Sequence, residues 1–461
     1  MKPAIFLFLL ILSFTLGSRA QSQDASPPKQ QPPPAHSHQH EPADKKPAME
    51  SMPGMQHDDS AAASPTFIDE ILHHATPGTS AEPNSTDEPM LMRARGKWRF
   101  MFHGAAFVNF EQQSGPRGYD KVFSTSWLMP MVQRELGPGR LTLRTMVSLD
   151  PATVTGRWYP ELFQQGETAF GKPINDGQHP HDFLMEIAAL YDWKLGKHTL
   201  LSFYAAPVGD PAMGPAAFEH RVPASENPLA PLGHHLEDST HIADDVITAG
   251  LTYKQVRLEA SGFHGREPDE FRWNLDTGAI NSWSTRLTVQ PRLNWSAQYS
   301  LGHFTSPEQL HPEEDVLRMT ASVIYNRPLS RGNWAAMLLW GRNHSLAGGA
   351  NTNGYLAEST LRFVENNRIW TRIENVDRTT DLLLGKQPEP PGFQEQFLAR
   401  VQAYSFGYDR DFNLVKGLST AVGGQVTFYA KPDFLTPLYG QHPAGAILFV
   451  RIRPTGGGHH H

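Results

Sequence analysis

Methionine and histidine are concentrated in a polar stretch near the N-terminus of the chain. Thioether sulfur is a soft ligand that favours Cu(I), whereas imidazole suits Cu(II), Zn(II) or Ni(II). Because the stretch has almost no large apolar residues, packing, which is the usual role of methionine, does not explain them. The pattern predicts capture of a metal ion, copper above all, and a low-complexity tail with incidental His and Met is the alternative. The predicted ligands are Met49, Met52, Met55, His57, His36, His38 and His40.

A second candidate metal site lies in a polar stretch near the middle of the chain. If residues 232–242 form a helix, His234, Asp238 and His241 share one face at positions i, i+4 and i+7. Two imidazoles and a carboxylate could hold a divalent ion, although a polar surface helix would give the same string for solubility alone.

Two further histidines, His179 and His181, flank a proline directly before a predicted strand. In an extended backbone both would point the same way, which would suit chelation. Hydrogen bonding between the loop and the strands is the favoured interpretation, because polar loop rims are common.

The sequence predicts no enzyme. It has no nucleophile elbow, no GxxxxGK[ST] phosphate loop and no HExxH zinc helix. The alternative is a barrel enzyme that acts on lipids or surface polymers, with a catalytic cluster assembled from distant strands. The chain has no cysteine and a formal charge of −7, with Lys and Arg spread along it, so neither a thiolate metal site nor nucleic-acid binding is expected.

The elements that must position these residues are long runs with a period of two. Apolar and polar residues alternate along residues 293–304, for example, and tight turns alternate with long polar loops. This layout predicts an all-β fold: an antiparallel transmembrane β-barrel of about sixteen strands with a disordered N-terminal arm. A large soluble β protein is the alternative, but soluble strands average about 5–6 residues. The predicted runs lie near 97–110, 121–136, 139–150, 183–195, 198–208, 246–254, 256–264, 282–290, 293–304, 315–327, 333–343, 354–364, 368–377, 396–408, 417–430 and 444–453.

The predicted organisation has five parts. Lys2, the apolar run that follows it and Ser18-Arg19-Ala20 indicate a signal peptide, so we expect export to the outer membrane with the arm in the periplasm. The parts are a signal peptide (1–20), a disordered Pro/His/Met-rich arm (21–65), a short helix and loop that is a candidate lumen plug (66–95), the barrel (96–454) and a tail (455–461).

This layout of signal peptide, Met/His-rich arm and β-barrel resembles the copper-resistance protein B family of outer-membrane proteins. The resemblance rests on Met49, Met52, Met55 and His57 and implies copper ions as ligands. Within the barrel, residues 161–169, 177–182 and 263–271 are similar to a group of bacterial envelope proteins, and that likeness supplies no activity.

Two functions follow as hypotheses. The first is an outer-membrane barrel whose periplasmic arm binds copper and contributes to metal handling or tolerance. The alternative is a porin-like channel for small solutes in which the arm is only a spacer. The expected partners are outer-membrane lipid and small solutes or metal ions, with no nucleic acid.

Overall fold

The computed structural model describes residues 66–455, except residues 88, 239–242, 310, 365, 385–396 and 413. The predicted signal peptide, the predicted arm and its predicted Met and His ligands lie outside the described residues, and so does His241. None of the helices in the described ranges has the length and apolar character needed to cross a membrane.

Sixteen antiparallel strands close into one barrel, which confirms the predicted fold class. Nineteen strands are described in all: β1 (Leu91–Arg95), β2 (Trp98–Gln113), β3 (Asp120–Leu136), β4 (Gly139–Val147), β5 (Tyr159–Ala169), β6 (Lys172–Gln178), β7 (Leu184–Gly196), β8 (Thr199–Gly209), β9 (Ala243–Tyr253), β10 (Val256–His264), β11 (Ser282–Arg292), β12 (Trp295–Phe304), β13 (Val316–Leu329), β14 (Gly332–Ser345), β15 (Thr352–Phe363), β16 (Asn367–Thr379), β17 (Leu398–Asp411), β18 (Leu418–Ala430) and β19 (Ala444–Pro454). The short helices are α1 (Phe67–His73), α2 (Asp150–Thr153), α3 (His234–Glu237), α4 (Thr380–Leu384) and α5 (Thr436–Tyr439).

The barrel wall consists of β2–β4 and β7–β19. Each wall strand pairs with the next along the chain, β4 pairs with β7, and the seam between β19 and β2 closes the cylinder. Every one of the sixteen predicted runs corresponds to a wall strand. One turn is displaced from its predicted place: pairing of β11 with β12 continues to Arg292 and Trp295, so the turn is at residues 293–294 rather than 290–292. A register shift after Val289 accommodates Pro291, which has no N–H to donate to the ladder.

The outer face of the wall is apolar, as a barrel in lipid requires. Leu338 and Leu258 are about two-thirds and three-fifths exposed, and Trp295, Tyr325 and Trp334 pack side by side on that surface. The barrel is therefore of the outer-membrane type. Exposed apolar residues of the outer face include Phe203, Ile247, Leu251, Leu258, Leu338, Ile373, Phe406, Val422, Phe428 and Leu448.

Charged residues of the strands mostly point inward, as the alternation predicts, with Arg400 as an exception. Arg144, Arg257, Arg286 and Arg451 are buried inside the wall. Alternation of apolar and polar residues within the run near 396–408 predicts Arg400 in the lumen, and that prediction is wrong. In β17 the neighbouring Ala399, Val401 and Ala403 are buried, which turns Arg400 outward to an ion pair with Asp377.

The two ends of the barrel differ. At one end the strands are joined by short turns such as residues 137–138, 197–198 and 254–255, and we call it the short-turn end. The other, long-loop end carries the connections 148–183, 210–242 and 265–281. Short periplasmic turns and long extracellular loops are the usual arrangement of outer-membrane barrels.

Three pieces of chain lie inside the wall. They are the inner segment (residues 66–90), the inner hairpin (β5 and β6, residues 159–178) and the inner loop (residues 210–238), and most of their side chains are buried. The sequence predicted two of these stretches as polar excursions beyond the strands, which is wrong. Apolar side chains explain the difference, because Phe163 and Leu162 of the hairpin and Leu232 and Leu236 of the loop form one cluster with wall residues.

The inner segment begins with α1, which is capped on both sides. Thr66 and Asp69 form a capping box at its start, and His74 ends it in the left-handed conformation (φ 52°). The apolar face of α1, with Phe67, Ile71 and Leu72, packs against Leu200 of the wall.

The chain leaves the inner segment through β1, which forms a hairpin with the first wall strand. Leu91–Arg95 pairs with residues 98–102 of β2, whereas β19 pairs with residues 106–113 of the same strand. All five residues of β1 are exposed. β1 therefore covers the part of the β2 edge that β19 leaves open.

Candidate functional site inside the barrel

Arg144 of β4 is the main attachment of the inner segment to the wall. Its guanidinium is fully buried and forms a two-pronged ion pair with Glu186 of β7, at 2.5 and 2.8 Å. The same group donates to the carbonyls of His74, Thr76 and Gly78, at 2.6–2.8 Å. One arginine thus satisfies three carbonyl groups of the inner segment, and its planar fork makes this geometry available.

Further polar contacts continue along the inner segment. His74 Nε2 lies 2.5 Å from Asp192 Oδ2, and Arg286 donates to Thr79 Oγ1 at 2.9 Å. Asn326 donates to the carbonyl of Ser85 at 2.7 Å. The wall holds this segment through hydrogen bonds and ion pairs along its length, with an apolar contact at α1.

The inner loop runs down the lumen and returns. Near its start, Gly214 accepts from Arg286 and donates to Ser300 Oγ, both at 3.0 Å. Pro223 accepts from Thr360 at 2.8 Å, close to the short-turn end of β15. On the way back, Leu229 accepts from Arg372 at 2.7 Å. The loop therefore spans most of the height of the barrel.

A cluster of six charges fixes the tip of the inner loop at the short-turn end. Glu226 is the only member from the loop, and its Oε1 lies 3.0 Å from both Arg368 Nε and Arg453 Nη1. The wall arginines also pair with wall aspartates at 2.5–3.2 Å. The three arginines and three carboxylates of this tip cluster are Arg368, Arg451, Arg453, Asp409, Asp411 and Glu226.

Arg221, also from the inner loop, is buried between two carboxylates. It lies 2.8 Å from Asp238 of the same loop and 3.1 Å from Glu358 of β15. Burial raises the pKa of Asp238, and although Arg221 opposes this effect, the pKa is about 6.

His181 is held between carboxylates from two connections. Its Nδ1 lies 2.8 Å from Asp150 Oδ2, and its Nε2 lies 2.5 Å from Glu219 Oε1. Burial alone would lower the pKa of His181, but the two carboxylates outweigh burial and raise the pKa to about 10. A cationic His181 therefore ties the inner loop to the base of the first long connection, which agrees with the hydrogen-bonding role favoured from the sequence.

Three histidines meet at the long-loop end of the lumen. One side-chain nitrogen from each of His179, His234 and His235 lies within 4.8 Å of the other two. His179 follows β6, and the other two begin α3, whose backbone approaches β14 at Gly341. A side chain on Gly341 would lie 2.1 Å from the carbonyl oxygen of Leu236, so glycine is what allows α3 to sit against the wall.

An acidic group lies behind this triad. Glu267 Oε2 is 3.4 Å from His235 Nδ1, and Glu267 also faces Arg318 of β13 at 3.7 Å. Burial would raise the pKa of Glu267, but the neighbouring His235 and Arg318 outweigh burial and lower the pKa below its usual value. The side chain of Gln178 lies 3.1 Å from His234 Nε2.

In the second predicted metal site, His234 and Asp238 do not share a helical face, which the predicted spacing required. α3 ends at Glu237 because the backbone of Asp238 is extended, and the Asp238 carboxylate pairs with Arg221. His234 lies beside His179 and His235 instead. His179 and His181 likewise have different neighbours, which argues against chelation by that pair.

Sequence reasoning missed the association of His179 with His234 and His235, because 55 residues separate the first two and no local period links them. Adjacent histidines in an otherwise small-residue loop were the available signal. The inward course of the inner loop, which the spacing of strands does not encode, brings the three together.

Little space separates the inner segment from the inner loop. Two cavities of about 10 Å³ each lie between them, lined by residues such as Thr79, Ser80, Asp210 and Met213. Each has room for about one water molecule. The lumen is packed at this level.

Comparison with known proteins gives only distant structural likeness. No protein-family model and no curated protein matches the chain. Solved structures that resemble it include an anion-selective porin from Comamonas acidovorans, with 11% identity over 77% of this chain and 99% of the porin and a TM-score of 0.46. Salmonella typhi OmpF, in a complex with daunomycin, has 9% identity over 79% of this chain and 100% of its own, with a TM-score of 0.47. A loop-deletion mutant of OmpT, an outer-membrane protein of Vibrio cholerae, has 6% identity over 78% and 99% with a TM-score of 0.44.

Proposed function

We propose that the chain is a channel for small solutes across the outer membrane, and that its own inner segment and inner loop hold it closed at rest. A barrel of sixteen strands encloses room for an aqueous pore unless something fills it. Here covalently attached pieces of the same chain fill it.

The observation that carries this proposal is the chemistry of the attachment. Arg144, Arg286, Arg372 and Glu226 join wall and filler through ion pairs and hydrogen bonds, including many to backbone carbonyls. Hydrogen bonds of this kind, made to charged groups, contribute a net stabilisation of about 1.5–3 kcal/mol each. Because water can replace polar contacts of this kind one at a time, we propose that the inner segment and the tip of the inner loop are displaced on opening, while the apolar cluster of the inner hairpin stays packed against the wall.

Channel recordings test the proposal. The wild-type protein in planar bilayers should show low conductance with rare openings. The double variant Arg144→Met with Glu186→Gln removes the guanidinium that donates to the carbonyls of the inner segment without leaving either member of the ion pair charged and alone, so long openings should become frequent. Liposome swelling with sugars of increasing size would then give the diameter of the open path.

A matched control comes from a buried polar pair within the wall. Ser405 and Thr427 hydrogen-bond to each other at 2.8 Å, and Ser405→Ala with Thr427→Val should leave conductance at the wild-type level. If the Arg144 and Glu186 double variant folds and stays as closed as the wild type, the inner segment is not the closing element.

Metal handling is a second proposal, supported by the spacing of Met49, Met52, Met55 and His57 and by the resemblance to the copper-resistance protein B family. In this proposal the arm binds copper ions. Cu(I) titration of the full-length protein should show tight binding that is lost when the three methionines are replaced by leucine. Equal binding by both proteins would refute it. The absence of enzymatic activity stays a prediction.

A further inference from the structure

We infer that His179, His234 and His235 form a binding site for a divalent transition-metal ion inside the barrel. Their donor nitrogens already lie within 4.8 Å of one another without an ion. Around a tetrahedral ion at 2.0–2.1 Å from each nitrogen, the nitrogens would be about 3.3 Å apart. Small rotations of the side chains suffice to close that difference.

Oxygen atoms behind two of the rings favour an orientation that suits this role. His235 Nδ1 faces the Glu267 carboxylate at 3.4 Å, and His179 Nδ1 faces the Pro180 carbonyl at 3.1 Å. If each Nδ1 carries the proton, each Nε2 presents a lone pair. A carboxylate or carbonyl behind a ligating histidine is the usual outer shell of a metal site, where it fixes the tautomer and increases ligand basicity.

His235 Nε2 is available to bind an ion. It is buried and has no hydrogen-bond partner among the described residues. Leaving a buried polar atom in that state is unfavourable, and a bond to a metal ion would offset this cost. Gly166 of the inner hairpin keeps the approach to this atom open, because a side chain at that position would begin 2.7 Å from Nε2.

The donor set points to a class of ion. Three imidazoles suit Zn²⁺, Cu²⁺ or Ni²⁺, whereas Ca²⁺ and Mg²⁺ require oxygen ligands and Cu⁺ prefers sulfur. The site is thus distinct in chemistry from the methionine-rich stretch of the arm. His179 directly follows the inner hairpin and the other two ligands lie in the inner loop, so a bound ion would join the end of the hairpin to the loop.

Zn²⁺ titration of the full-length protein in detergent micelles, stripped of metal beforehand with EDTA, tests the inference. Histidines of the arm and the terminal run of three histidines offer background sites, so the readout is the difference between wild type and variant. His235→Ala should lose one tight equivalent of Zn²⁺, and the exposed His442→Ala should lose none.

Two further variants separate ligation from folding. Gly166→Ala retains all three histidines in the sequence but places a methyl group 2.7 Å from His235 Nε2, at a backbone φ of 155° that also strains alanine. Protein of this variant that folds should lose the same equivalent. Glu267→Gln keeps the shape of the outer shell and should weaken binding roughly 10–100-fold. With Co²⁺ as the ion, the wild type should show the intense visible absorption of a tetrahedral site, and His235→Ala should not.

Zn²⁺ binding is compared only among variants that fold, as shown by unchanged heat-modifiable migration on gels. Wild-type Zn²⁺ stoichiometry and affinity in both His235→Ala and Gly166→Ala would overturn the inference. So would a titration in which all bound Zn²⁺ is accounted for by the arm and terminal histidines.

Discussion

Glu226 is the residue whose removal should affect the inner loop most directly. It is the only acidic group that the loop contributes to the tip cluster, and three buried or nearly buried arginines of the wall surround it. With Glu226 the cluster holds three arginines and three carboxylates. Glu226→Gln keeps the size of the side chain but leaves one positive charge without a counter-charge.

The expected cost follows from this charge balance. Removing one partner of a buried ion pair destabilises a protein by about 3–5 kcal/mol, because the remaining charge stays desolvated. Here the cost falls on docking of the loop tip, because the aspartates of the wall still hold the arginines in the undocked state. Since 1.4 kcal/mol is a tenfold change in an equilibrium, the open population of the tip should rise by roughly 10²- to 10³-fold.

Hydrogen exchange measured by mass spectrometry on the protein in nanodiscs detects this change. Amides of residues 222–229 should exchange faster by that factor, while amides of the wall strand β13 serve as the internal control. Planar-bilayer recordings of the same variant should show more frequent openings. Adding Arg453→Gln removes one positive charge, which restores the neutrality of the tip cluster and should recover much of the protection. Arg453 is the choice because it is the most exposed of the three arginines.

Two results would refute this reasoning. If Glu226→Gln leaves exchange at residues 222–229 unchanged, the tip is held by contacts other than its charge. If the double variant with Arg453→Gln exchanges faster than Glu226→Gln alone, charge balance is not what governs docking.

Three further predictions concern the inner segment and the triad. Arg144→Lys keeps a positive charge beside Glu186 but cannot reach three carbonyls, so limited proteolysis should cleave the inner segment faster while the melting temperature of the barrel changes little. Burial raises the pKa of Glu82 from 4.5 to about 7. The protonated side chain therefore contributes about 3 kcal/mol to the free energy of unfolding below pH 4.5, and this contribution is lost as the pH rises through 7. Thermal melts across pH 5–8 should show this decline in the wild type and not in Glu82→Gln. Gly341→Ala places a methyl group 2.1 Å from the Leu236 carbonyl and should shift α3, weakening Zn²⁺ binding in the titration described above; unchanged binding would show that α3 tolerates the displacement.

The wall was predictable from the sequence because its signal is repeated and local. Sixteen runs with a period of two, separated alternately by short turns and long loops, require only that neighbouring strands pair in order. The displaced turn near Pro291 shows the limit of this prediction. A proline marks a break in the ladder, but only the pairing of Arg292 with Trp295 decides whether it stands in a turn or in a bulge.

The contents of the lumen were not predictable in the same way. Glu226, His179 and His235 lie in polar stretches whose sequence pattern is that of solvent-exposed loops. The same polar residues bind to a lumen wall that is rich in arginine, and the sequence pattern does not distinguish the two environments. Contacts such as Arg451 with Glu226 or Arg144 with the carbonyl of Gly78 join residues far apart in the chain. No local spacing encodes them. The Asp238 carboxylate, which helical spacing would place beside His234, pairs with Arg221 instead.

The hairpin of β1 with β2 limits how the closed state can be studied. A truncation that begins at residue 96 would remove the inner segment, but it would also strip five paired residues from the edge of β2. An uncovered strand edge recruits other strands, so such a truncated barrel would be expected to self-associate. Leakiness or aggregation of that truncated protein would then result from the exposed edge of β2 as much as from loss of the inner segment. Excising residues 66–88 while retaining Leu91–Arg95 would separate the two effects.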